Sequence, residues 1–115
     1  MIKVFKVCEK DEWEEVKDRD FFKGSKNDQS DGFIHLSTSE QLKGTLEKYF
    51  KLKSYLYLLE LNANDLEIVW EESRNKHLFP HLYQPLPLTS VVKVYRIFLD
   101  IQGNHLIPKQ VFNDL

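Results

Sequence analysis

The chain has 115 residues, 42% of them hydrophobic, which suits a single domain over 1–115 with its own core and is too short for two. Its formal net charge is −2 with neutral histidines and its basic residues are scattered, a poor footprint for duplex DNA or long RNA. No apolar run approaches the roughly 20 residues of a membrane span, and the single cysteine, Cys8, cannot form an internal disulfide; a cytoplasmic protein with no membrane partner is expected.

Ile2, Val4 and Val7 predict an opening strand that ends near Cys8, with the thiol half-buried and inert. Asp11, followed three residues on by Glu14, predicts the start of a helix over Glu12–Lys17. Phe21 to Ser25 reads as an apolar, turning segment, and Lys26 to Ser30 as a polar loop. After the turn pair Asp31-Gly32, Phe33 to Ser37 predicts a short strand. Leu42, Leu46, Tyr49 and Phe50 fall on one face of a helix predicted over 40–50.

Tyr55 to Leu61, apolar on both faces, predicts a central strand, and Asn62 to Asp65 a turn. Ile68 to Glu71 predicts the next strand, placed beside the previous one. Ser73 to Leu88 carries Pro80, Pro85 and Pro87, so a structured loop with short extended pieces is expected there, neither regular helix nor central strand. Val91 to Leu99 predicts a long final strand, and nothing assigns the tail after Gly103. The order β-α-β-α-β-β-β implies a compact α+β fold with a largely antiparallel sheet and two main helices.

Three segments carry candidate chemistry. In 31–38, strand alternation sends Phe33, His35 and Ser37 to one face and Ile34 and Leu36 to the other, just before a helix start. A helix start offers free N–H groups to an anion. Ser37 with Glu40, or Thr38 with Gln41, equally has the spacing of a capping box, and His35 equally suits a hydrogen-bonded, half-buried histidine. In 70–74, Glu71 or Glu72 offers a carboxylate at a strand end, and Arg74 a guanidinium for a phosphate; the plain alternative is solvated side chains.

In 78–88, the prolines stiffen a segment that presents Phe79, His81 and Tyr83, a suitable wall for a planar ligand or a cover over the sheet. His77 and His81 have the spacing of a metal pair on a helix, but Pro80 between them argues against the helix, and no metal is expected.

Asp-Gly-Phe-Ile-His-Leu-Ser-Thr at 31–38, Trp-Glu-x-Ser-Arg at 70–74 and Leu-Phe-Pro-His-Leu-Tyr-x-Pro-Leu-Pro-Leu at 78–88 together resemble the small bacterial family catalogued as domain of unknown function 952. The likeness covers about 2–97 and takes in the Trp-Glu helix at 12–16 and the aliphatic strand at 91–95. Asn75-Lys76-His77 and Gln84 depart from small or glycine residues in the family pattern.

The resemblance implies an ADP-ribosyltransferase-like fold and an enzyme acting on NAD or on an ADP-ribosyl or phosphorylated nucleotide. It favours Glu71 over Glu72, which takes the variable place. Its motifs imply His35, Glu71 and His81 as catalytic residues, and Ser37, Thr38, Ser73, Arg74, Phe79 and Tyr83 as ligand contacts. NAD would enter as a substrate, with no cofactor bound permanently. Two rival readings are a binding module without turnover and a small interaction domain whose motif residues brace the sheet.

Overall fold

The computed structural model describes residues 2–73 and 76–113. Strands β1 (Lys3–Glu9), β4 (Leu56–Asn62), β8 (Val91–Leu99) and β9 (His105–Leu106) form one sheet in the order β1-β4-β8-β9. A second sheet runs β3 (Ile34–His35), β6 (Leu78–Leu82), β5 (Ile68–Glu72), and β2 (Phe21–Phe22) pairs with β7 (Leu86–Pro87). Every one of these pairings is antiparallel. The helices are short: α1 (Lys10–Val16), α2 (Lys26–Asp31) and α3 (Leu42–Tyr49). The fold is α+β.

β1 and β4 are buried on both faces, which is why β4 reads as a nearly continuous apolar run, while much of β8 is exposed. On one face Val4, Cys8, Leu59 and Leu61 meet Ile34 and Leu82 of the second sheet with Leu36, Phe22 and Leu86. On the other, Phe5, Val7, Leu56, Leu58 and Ile97 meet Leu42 and Leu46 of α3 and Val111 near the end of the chain. Cys8 is fully buried, deeper than expected, and burial pushes its thiol up to about 12, so it is inert at neutral pH. Alternation puts Lys6 on the same face as Val4 and Cys8, so a lysine enters the layer between the sheets.

Several local expectations change. The first helix is capped by Glu9 with Glu12, not by Asp11 with Glu14. The predicted polar loop at 26–30 is α2: Ser25 caps it, its hydroxyl accepting from the Asp28 N–H while the Asp28 carboxylate accepts from the Ser25 N–H. Gly32 ends it at φ 85°, a conformation that costs glycine little. Phe21-Phe22 is a strand rather than a turn. The predicted helix over 40–50 begins as a 3-10 turn at Ser39–Gln41, and of its proposed apolar face only Leu42 and Leu46 are buried.

The prolines mislead most. Residues 78–82, expected as a loop, form the middle strand of the second sheet, with Pro80 inside it. The Pro80 carbonyl accepts from the Leu36 N–H on the β3 side, and in extended backbone the proline nitrogen faces that same side. The missing N–H therefore falls against the two-residue strand β3 and leaves the pairing with β5 intact. For the same reason β5 lies beside β6, not beside β4, whose two edges are taken by β1 and β8.

Candidate functional site

β3 and β6 pair so that His35 stands directly opposite His81. Directly opposed residues in an antiparallel pair share a face, and the two ring centres lie 5.8 Å apart, edge to face. Phe33, two residues before His35, fills the space between them, its ring 4.1 Å from His81 in a stacked contact and 4.5 Å from His35. Both histidines line an open cleft of about 1140 Å³ between α1, α2 and the sheets.

Each imidazole is held by a carboxylate. His35 Nδ1 lies 2.6 Å from Asp28 Oδ1, and the His35 backbone N–H donates to the same oxygen. His35 Nε2 lies 2.9 Å from Asp31 Oδ2, so only a ring protonated on both nitrogens donates to both carboxylates. His81 Nδ1 lies 2.8 Å from Glu71 Oε1, which also accepts from the Tyr83 hydroxyl at 2.7 Å. These bonds, the one from Tyr83 first, hold the Glu71 carboxyl below the usual carboxylate range. Bonded to the carboxylate, Tyr83 is pushed up. Among the described residues His81 Nε2 has no hydrogen-bond partner.

Asp28 is the buried centre of the cleft wall. Its Oδ2 accepts from the Lys6 ammonium at 2.7 Å and from the Ser25 N–H. Burial works against its charge, but the bond to His35 and the Lys6 ammonium outweigh burial and hold its carboxyl far below the usual range. Lys6 Nζ also donates to the His35 carbonyl at 3.1 Å.

The remaining sequence-predicted residues divide. Ser37 is buried on the cleft wall with its hydroxyl 2.8 Å from that of Thr45. It lies beyond β3, bridged instead to Phe5 of β1. Thr38 lines a separate, smaller cleft and caps the 3-10 turn with Gln41, so the capping alternative describes its hydroxyl. Phe79 is buried and touches both clefts, and Ser73 lines the larger one. Tyr83 is half exposed beside Phe33, at 5.3 Å between ring centres. Neither Glu71 nor Tyr83 lines the larger cleft; they stand behind His81. Arg74 lies outside the described residues.

Sequence reasoning missed Lys6, Asp28 and Asp31. The signals were there for two of them: a lysine on the inward face of an apolar strand, and the Ser25-x-x-Asp28 spacing closed by Gly32. Among the described residues no group of three or more His, Cys, Asp or Glu side chains is arranged to hold a metal ion, and no helix is long and apolar enough to cross a membrane.

A family model described as protein of unknown function (DUF952) matches residues 7–94, and the chain belongs to that family. It is similar to protein CC0527 from Caulobacter crescentus, whose crystal structure is 36% identical with a TM-score of 0.89, covering 95% of this chain and 97% of that one. The solution NMR structure of CC0527 is 38% identical with a TM-score of 0.76, covering 90% and 91%. None of the curated proteins matches the chain.

Proposed function

On the premise of that membership, we propose that the protein is an enzyme that processes a nucleotide-like small molecule, NAD or an ADP-ribosyl or phosphorylated nucleotide, on the ADP-ribosyltransferase-like fold that the resemblance implies. The observation that carries the reading is the pair His35 and His81, opposed across two strands on one cleft, each with a carboxylate against Nδ1. A carboxylate at Nδ1 fixes the ring's tautomer and orientation and leaves Nε2 for proton exchange with a substrate. His81 Nε2 is the better placed of the two, since no described residue takes it.

With NAD as substrate, the C1′–N bond of the nicotinamide ribose breaks and its electron pair leaves on nicotinamide. Water supplies the oxygen that bonds to C1′ and gives its proton to the histidine. Glu71, which stands behind His81 and does not line the cleft, acts through His81 with Oε1. Of the two aromatic side chains that the resemblance implies, Phe79 lines the cleft and offers its wall to a planar ring.

One observation favours the rival reading, a binding module without turnover: Asp31 occupies His35 Nε2, leaving a single open imidazole nitrogen. Incubation with NAD and with ADP-ribosylated nucleotides, followed by mass spectrometry, separates the two. Released nicotinamide or a shortened nucleotide is the expected result. Ligand retained unchanged favours the binding module, and neither retention nor change overturns both.

A further inference from the structure

We infer that the cleft contains an anion subsite, built from Lys6 Nζ and His35 Nε2, that takes a phosphate or pyrophosphate group; the inference rests on the nucleotide reading above. Lys6 is 5% exposed, yet it lines the cleft. Of its three N–H donors one goes to Asp28 Oδ2 and one to the His35 carbonyl. No described residue accepts the third. A desolvated ammonium with an open donor is costly unless something fills it. Packing does not require the charge either, because apolar side chains of similar volume in place of a buried ion pair are often no less stable.

The Asp28 charge is offset by the Lys6 ammonium paired with it. Both Asp28 oxygens are spent, Oδ1 on the ring and backbone of His35 and Oδ2 on Lys6 and the Ser25 N–H. With His35 protonated on both nitrogens, the trio of Lys6, Asp28 and His35 carries a net positive charge into the cleft. Among the described residues its one outward partner is Asp31, a half-exposed carboxylate at the end of α2. An oxyanion of the chain itself therefore already sits on His35 Nε2, which marks the position as suited to an oxyanion and makes Asp31 the ligand's competitor. The hydroxyls of Ser37 and Thr38, which the resemblance implies as ligand contacts, bond instead to Thr45 and to the Gln41 N–H.

The test is calorimetric titration of inorganic pyrophosphate into the native protein and into Asp31→Ala, at low salt. Removing one opposing, half-exposed charge should tighten binding roughly fivefold. Asp31 contributes nothing to the core, so this variant decides the matter without risk of unfolding. Lys6→Met should abolish the binding wherever it remains folded. Unchanged affinity in Asp31→Ala, or no binding to either protein at millimolar pyrophosphate, overturns the subsite. Tighter pyrophosphate with no nucleotide bound or changed keeps the subsite and removes the nucleotide reading. Turnover of a nucleotide at the same KM in both proteins does the reverse.

Discussion

Asp28→Ala is expected to lower the unfolding free energy by about 3–5 kcal/mol, because it strands a buried ammonium with no counter-charge. Asp28 is 2% exposed and Lys6 5%, and among the described residues no other carboxylate lies within ion-pair distance of Lys6. The loss extends past the ion pair: α2 loses half of its capping box and His35 loses the acceptor that orients it. Asp28→Asn should cost less, since an amide still accepts hydrogen bonds.

The effect carries a pH signature. The folded carboxyl is held far below its unfolded value, so between the two values only the unfolded chain binds the proton, and stability rises with pH. The contribution is complete above the ordinary carboxylate range near about pH 4 and is lost as pH falls through that range toward the folded value. Denaturant unfolding of native protein and Asp28→Asn should therefore differ most at neutral pH and converge in acid. A loss under about 1 kcal/mol in Asp28→Ala would show that the pair is a surface-like contact.

His81→Asn is expected to lower turnover by a factor of about 10² to 10⁴, the range spanned by a positioned proton-transfer group. Asparagine keeps a polar side chain beside Glu71 but has no imidazole nitrogen to exchange a proton. Glu71→Gln should show a smaller fall with a shifted pH profile, because Glu71 acts through His81. The comparison is made with folded protein, judged by an unchanged melting transition. Full turnover in His81→Asn would remove proton transfer from His81.

How much of this was legible depends on the range of the interaction. β4 shows in its own composition, because a strand buried between layers is apolar whatever it pairs with, and β8 shows through its β-branched and aromatic residues although much of it is exposed. The His35 and His81 face follows from strand alternation once the family motifs draw attention to both residues. β6 was hidden by Pro80, because the rule that removes proline from central strands assumes that the neighbour on its N–H side needs that donor, and β3 is too short to need it. α2 has no apolar periodicity to find, since it is held by its caps and by Asp28 rather than by an apolar face. The network of Lys6 and His35 joins residues 29 apart in the chain, and no local pattern carries a contact at that distance.

The central claim is that His35 and His81 meet one small ligand in one cleft. The most direct measurement is an NMR titration of the histidine ring nitrogens with ADP-ribose. Ring signals of both histidines should move together and saturate at the same ligand concentration, while His77 and His105 stay still. Movement of only one of the two rings, or no movement of either at saturating ligand, would contradict the account.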